Sequence, residues 1–319
     1  MAFFSIVIPL FNKENFISNT LQSVFNQSFT DYEIIIVDDC STDNSLKIVV
    51  ENSSDKVKIV RHEINKGLSA TRNTGIKNAT AKHIIFLDAD DLWKPTYLEK
   101  INTLILKFPE ANLFATNYAE LYPNNIEIPP TTNLKNFEND GIIPTFFESN
   151  LSQPIYCYSS LCVEKRVFEK IGFFDERITF GEDIDFSIRA NANFKLAYSR
   201  ENLVTYLMFS ENRMSKDTIQ DKEITDFDGY EILAKTTPSL KKFLDFNRYV
   251  MYKHYKIEGN KLKMQKMKSG IHTNPMISGL NFKQRLLMKL PLFFTLGLVR
   301  LKYLLVKRGI RLTTFGSRK

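Results

Sequence analysis

The stretch Glu33-Ile34-Ile35-Ile36-Val37-Asp38-Asp39-Cys40-Ser41-Thr42-Asp43 carries the decisive pattern. An apolar run without polar alternation marks a strand covered on both faces, as in a parallel sheet. It stops abruptly at two adjacent carboxylates. Ser41 and Asp43 suit the cap of a following helix, but capping does not explain Asp38 and Asp39 side by side at a strand end. In open α/β proteins, ligands bind at the carboxyl ends of strands.

The same grammar extends in both directions. Residues 3–10 form a β-rich run closing in Pro9-Leu10-Phe11-Asn12, and residues 14–26 place Phe16, Ile17, Leu21, Val24 and Phe25 at helical spacing. A helix is expected over 43–52, a strand over 57–61, a helix over 67–78 and a strand over 83–87. Pro95 suits the first turn of a helix running to residue 108. Alternating strands and helices predict an α/β fold with a Rossmann-like, mostly parallel sheet. Residues 124–139 read as a loop, 159–163 as a strand, and 164–171 as a helix ended by Gly172. After Arg200 the alternation fades, and from Gln220 onward the pattern is helical.

Two further acidic clusters stand out. Asp88-Ala89-Asp90-Asp91 places three carboxylates within four residues, which repel one another unless a cation is bound. Hard oxygen ligands suit Mg²⁺ or Mn²⁺. Glu182-Asp183-Ile184-Asp185-Phe186 opens an expected helix, where carboxylates also complement the macrodipole. A dinucleotide dehydrogenase or P-loop enzyme is disfavoured, because neither G-x-G-x-x-G nor G-K-[ST] follows the first strand. The four histidines form no zinc pattern, and the three cysteines no disulfide framework, which fits a reducing cytoplasm. The N-terminal stretch lacks the pattern of a signal peptide.

In this order, the clusters resemble glycosyltransferase family 2, the inverting enzymes with the GT-A fold. Residues 5–14 look like its opening strand and turn, and Val37-Asp38-Asp39-Cys40-Ser41-Thr42-Asp43 is similar to its V-D-D-x-S-x-D segment. Asn65-Lys66-Gly67-Leu68-Ser69-Ala70-Thr71-Arg72-Asn73 matches its N-x-G-x-x-x-x-R-N segment; Asp88-Ala89-Asp90 looks like its D-x-D motif and Glu182-Asp183 like its E-D motif. The resemblance implies a UDP-sugar donor held by Pro9, Phe11, Asn12, Glu14, Asp39, Lys66, Gly67, Arg72, Asp88, Ala89 and Asp90, with Asp39 accepting from uracil N3. It also implies Mn²⁺ or Mg²⁺ on Asp90 and Asp88, with Asp91 a further candidate ligand. Arg72 would lie near the phosphates or brace the acidic loop, and Asp183 would be the general base. The acceptor expected is a lipid-linked saccharide of O-antigen, lipopolysaccharide or capsule synthesis. The alternatives are a catalytically dead scaffold and a sugar nucleotidyltransferase; the latter usually carries a Gly-rich activation loop absent from Phe11-Asn12-Lys13-Glu14.

The resemblance ends near Phe209. Residues 1–215 are therefore expected to form the catalytic domain, its nucleotide-binding half to about residue 120 and its acceptor half over 121–215. Residues 216–319 would be a basic helical extension. From residue 247 onward there are 17 Lys and Arg against one acid, Glu258, while the rest of the chain carries 26 basic and 35 acidic residues. An acidic body is a poor nucleic-acid binder, and a basic tail with apolar stretches points to an anionic membrane surface. Within 286–306, Lys289, Arg300 and Lys302 interrupt the apolar run, which argues against a spanning helix and for an interfacial one. The alternative is packing on the catalytic domain or on a second subunit in a homodimer. The expected location is peripheral, on the cytoplasmic face of the membrane.

Overall fold

A computed structural model describes residues 2–123, 125–134, 136–211, 218–311 and 313–314. Strands β1 (Phe4–Leu10), β2 (Tyr32–Asp38), β3 (Val57–Arg61) and β4 (His83–Phe86) run parallel in the order β3-β2-β1-β4. Helices α1 (Ile17–Phe25), α2 (Ser45–Glu51) and α3 (Leu68–Asn78) join them. Every residue of β1 is buried. Val7 faces one apolar core and Phe4, Ile6, Ile8 and Leu10 the other, which is why the run shows no polar alternation.

The sheet continues through β9 (Leu161–Glu164), β6 (Leu113–Tyr122), β10 (Leu196–Leu207) and β5 (Leu92–Trp93). Here the expectation of parallel pairing meets exceptions. β9 lies antiparallel between β4 and β6, and β10 runs parallel to β6 but antiparallel to β5. The segment 124–139, expected to be a loop, contains β7 (Ile126–Ile128), which folds back on β6, and β8 (Asp140–Ile142) follows and pairs with β10. Helices α4 (Tyr97–Lys107), α5 (Phe146–Ser149), α6 (Lys165–Ile171) and α7 (Glu182–Asn193) complete this part.

α1 begins at Ile17 rather than at residue 14. The Lys13 backbone N–H donates to Ser45 Oγ (2.7 Å) and that of Glu14 to Asp43 Oδ2 (3.0 Å), so these residues tie the β1–α1 loop to the β2–α2 loop. α3 lies unusually close to β1. A Cβ added to Gly75 would come within 2.2 Å of Val7 Cγ1, so only glycine allows that approach.

The expected boundary at 215/216 lies outside the described residues. Beyond it come α8 (Glu231–Thr236), α9 (Pro238–Ile257), α10 (Lys261–Gly270), α11 (Pro275–Ser278), α12 (Phe282–Lys289) and α13 (Leu292–Val306). Leu240, Phe243, Leu244, Met251, Tyr252 and Tyr255 of α9 belong to the same core as Val7 and Phe86. α9 is thus part of the folded body. Its Arg248 is buried on Asp228, Glu231 and Asp245, so this basic residue is spent internally. The apolar run 286–306 breaks at Leu290-Pro291 into α12 and α13, since proline cannot continue a helix.

Gly75→Ala should force α3 off β1 and cost about 1–3 kcal/mol. Urea denaturation should show a lower midpoint with an unchanged slope; an unaltered midpoint would mean that the contact relaxes freely.

Candidate active site

The loops closing β1, β2 and β4 and the N-terminal ends of α3 and α7 border one cleft of about 980 Å³. β1 leads to β2 on one side and neighbours β4 on the other, which makes this the point of an α/β sheet where a crevice opens. Pro9 and Phe11 line it from β1, Asp39 from β2, Lys66, Gly67 and Arg72 from α3 and its approach, Asp88, Ala89 and Asp90 from β4, and Asp183 from α7. Residues 174 positions apart in sequence, Pro9 and Asp183, therefore share a wall. Phe11 keeps 39% of its surface exposed, leaving its ring available to a ligand.

Asn12 and Glu14 fall outside this lining. Asn12 takes a left-handed backbone (φ 50°), and its side-chain oxygen accepts from the Thr42 backbone N–H (2.8 Å). Glu14 accepts from the Asn44 backbone and side-chain amides at 2.9 and 2.7 Å. Both brace the β1–α1 and β2–α2 loops that border the cleft.

Asp39 has structural work as well. Its Oδ1 and Oδ2 accept from the backbone N–H groups of Lys66 and Gly67, each at 2.8 Å, at the approach to α3. Gly67 holds φ at 85°, where a side chain would be strained. His62 Nδ1 lies 2.7 Å from Asp39 Oδ1, so that nitrogen carries the proton, and His62 Nε2 is held by Thr74 at 2.9 Å. Each carboxylate oxygen has two lone pairs, so Oδ2 retains acceptor capacity toward the cleft. Its neighbour Asp38 is fully buried beneath the turn, accepting from the Ser41 backbone N–H and facing Arg61.

The three carboxylates after β4 divide sharply. Asp88 accepts from Arg72 Nη2 (3.0 Å), and Asp90 from Lys13 Nζ (2.8 Å). Asp91 does not line the cleft; it is fully buried, accepting from Ser159 Oγ (2.5 Å) and from the Leu207 backbone N–H (3.1 Å). Burial, with Asp90 and Asp88 adding, pushes its carboxyl well above the usual range. Its enclosure sets it apart from Asp88 and Asp90, which face the cleft. Among the described residues, no group of three or more His, Cys, Asp or Glu side chains could hold a metal ion alone. Asp88 and Asp90 nevertheless fit a divalent cation: they are hard donors facing the cleft, and Lys13 already places positive charge against Asp90. Mg²⁺ is commonly bound by one or two carboxylates together with substrate phosphates.

Arg72 joins the two ends of the site. Its guanidinium donates to Asp88 and, through Nη1, to Glu182 Oε1 (2.9 Å), while stacking over Tyr158 at 4.9 Å and Phe174 at 5.5 Å. Burial opposes its charge, but Asp88 and Glu182 more than offset this and its pKa is raised. Phe186, one turn along α7, stacks on Phe174 with centroids 4.6 Å apart and so fixes the helix that presents Asp183. Tyr158 Oη donates to the Asp183 carbonyl (2.9 Å), and Asp183 Oδ1 accepts from the Ile184 backbone N–H (2.9 Å). Both Glu182 and Asp183 are raised in pKa; burial is the main cause, and Arg72 pulls the other way without cancelling it.

Several participants were not anticipated. Lys13 lies in the opening turn and His62 outside every motif, and nothing in either pattern points to carboxylate partners 77 and 23 residues away. α9 lines the cleft through Phe243, Phe246, Asn247, Val250, Met251 and His254, recurring every three or four residues. That face was legible as a helical stripe, but nothing in the sequence says what it faces.

The architecture is the GT-A fold: TarS of S. aureus (residues 1–349, solved with UDP-GlcNAc) superposes with a TM-score of 0.66 at 22% identity, over 83% of this chain and 78% of that one. The sequence model of glycosyl transferase family 2 matches residues 5–172, and the chain belongs to that family. WfgD of Escherichia coli, a UDP-Glc:alpha-D-GlcNAc-diphosphoundecaprenol beta-1,3-glucosyltransferase, is 35% identical over 122 residues, 38% of this chain and 48% of WfgD. The chain thus spans about half the length of that relative. An uncharacterized glycosyltransferase of Haemophilus influenzae is 28% identical over 75% of this chain and 80% of its own.

Arg72→Met should leave Glu182 buried without its partner and cost about 3–5 kcal/mol. Glu182→Gln in the same chain should recover part of the loss, since a neutral amide tolerates burial better. Calorimetry that finds the double variant no more stable than Arg72→Met would remove the pair from this role.

Proposed function

We propose that this protein is an inverting glycosyltransferase that moves a hexose or N-acetylhexosamine from a UDP-sugar to a lipid-linked saccharide acceptor. The pathway would be O-antigen, lipopolysaccharide or capsule synthesis. The observation that carries the reading is a single cleft with Asp39, Asp88 and Asp90 at the sheet end and Asp183 held near them through Arg72 and Glu182. TarS was solved with UDP-GlcNAc and with UDP, and WfgD uses UDP-Glc and a diphosphoundecaprenol acceptor, which support the donor and acceptor classes.

In this reading, Phe11 packs on the base and Asp39 accepts from its N–H. Asp88 and Asp90 would hold Mn²⁺ or Mg²⁺ against the diphosphate. When bound, that ion neutralises charge on the leaving group. Arg72 holds Asp88 in place. Asp183 accepts the proton of the acceptor hydroxyl as its oxygen attacks the anomeric carbon, while the bond to the diphosphate breaks on the opposite face. A single base suffices, and in-line displacement inverts the centre. The apolar side chains that α9 adds to the cleft suit the non-saccharide part of an acceptor.

Asp183→Asn should lower transfer by about 10²–10⁴-fold while UDP affinity, measured by calorimetry, stays near that of the parent. Lost UDP binding would move Asp183 to the donor side. The raised pKa of Asp183 sets the pH dependence: its basic form is lost as pH falls through that value, so the acid limb of kcat/KM should lie above about 4, the ordinary aspartate value. A limb at or below that value would contradict the assignment. Asp90→Asn should abolish transfer without lowering the melting temperature, and EDTA should do the same to the parent, reversibly with Mn²⁺. Full activity in EDTA would exclude the cation.

A further inference from the structure

The helix α13 is folded but scarcely covered. Val306 is its only buried residue, and Phe293 and Phe294 are 65% and 54% exposed. At 3.6 residues per turn, Phe293, Phe294, Leu298, Leu301 and Leu304 fall on one side, with Arg300 at one edge and Lys302 at the other. All five apolar residues are exposed. Lys307 and Arg308 follow, also exposed. Residues 282–311 contain no acidic side chain.

Both ends of this helix are tied to the body. Before it, Lys256 Nζ donates to the Leu290 carbonyl (2.5 Å), and Tyr252 Oη to that of Met288 (2.8 Å). Both donors sit on α9, whose other side lines the cleft. After it, Arg311 donates to the Pro129 carbonyl and to Gln153 Oε1, each at 2.8 Å, and pairs with Glu120. Ser152 and Pro154, which flank Gln153, also line the cleft. α13 is therefore strapped between two segments that line the cleft, α9 and the stretch around Gln153.

We propose that α13 docks on an anionic lipid bilayer, its Phe293–Leu304 face inserted among the acyl chains near the headgroups and its basic edges against lipid phosphates. α13 is apolar nearly all round, since Leu292, Val299 and Tyr303 are exposed on the opposite side as well. A helix of that kind needs cover from water, and Arg300, Lys302, Lys307 and Arg308 make an anionic lipid surface the cover its charge fits. At about 22 Å for 15 residues, α13 is too short to cross a hydrocarbon core of about 30 Å; among the described residues, no helix is long and apolar enough to do so. Charge decides against a second copy of this chain on the same face, because a two-fold contact would set Arg300 and Lys302 against their own counterparts. The straps at Lys256 and Arg311 then hold the α9 end of the cleft beside the membrane. Docking does not depend on the proposed chemistry, and its test reads no activity.

The test uses the full chain with sucrose-loaded vesicles of phosphatidylcholine, alone or with one-third phosphatidylglycerol. Binding to the anionic vesicles should exceed that to the neutral ones at least tenfold and weaken with added salt. Arg300→Gln and Lys302→Gln should each lower affinity about fivefold. Phe293→Ser with Phe294→Ser should lower it more than tenfold without shifting the melting temperature, since neither ring is buried. Leu301→Trp should be quenched by brominated lipid in anionic vesicles; Trp93, being buried, should not. No preference for anionic vesicles, or an unquenched Trp on bound protein, would overturn the proposal. So would a concentration-dependent dimer, lost in the double Phe variant, with no vesicle binding; that result would assign the face to a second copy.

Discussion

The site depends on one buried guanidinium. Arg72 reaches Asp88 at the end of β4 and Glu182 at the start of α7, segments almost a hundred residues apart in the chain. A charge this far from water is tolerated only when it is paired and hydrogen-bonded. The two carboxylates need Arg72 as much as it needs them. The requirement is geometric as well as electrostatic: the planar fork can serve both partners only if α3 lies close enough to β1, an approach permitted by Gly75. Tyr158 and Phe174 beneath the guanidinium, and Phe186 on Phe174, turn a polar bridge into a rigid joint.

That joint separates two kinds of carboxylate. Those serving the fold are enclosed, as with Asp38 beneath its turn and Asp91 held by Ser159 and the Leu207 backbone. Those facing the cleft keep capacity to spare, as with Asp88 and Asp90. Asp39 does both, capping the approach to α3 while bordering the cleft. A crowded acidic motif is thus a mixture, and adjacency in sequence says little about which member does chemistry. Asp90 and Asp91 are consecutive, and the peptide turn between them sends one into the cleft and the other into the core.

The first half of the sheet was legible because its strands are covered on both faces and end in polar punctuation. β1 to β4 and the helices between them fall within a few residues of expectation. Legibility fails where structure depends on distant partners. β6 contains Thr116, Asn117 and Glu120, which spoil an apolar run; Glu120 is satisfied by Arg311, 191 residues later. β10 is interrupted by Ser199-Arg200-Glu201-Asn202, where its pairing with β6 shifts register. The basic excess after residue 247 was countable, but not the fact that Arg248 is neutralised by three carboxylates inside the fold while the lysines of α10 and the basic residues flanking α13 stay at the surface. Asn12 and Glu14 belong to a motif that was legible, while the hydrogen bonds by which they brace its loop to Thr42 and Asn44 were not.

The proposed chemistry reduces to a single displacement at one carbon, with Asp183 as the only base. The anomeric configuration of the product measures this directly. Proton NMR of the transferred sugar, taken before mutarotation or with a glycosidic acceptor, reads the H1–H2 coupling that distinguishes the two anomers. From an α-linked UDP-glucose or UDP-N-acetylglucosamine donor, a single displacement yields a β-linked product. An α-linked product would require a second displacement or a front-face route, and would contradict the roles of Asp183 and of the joint that holds it.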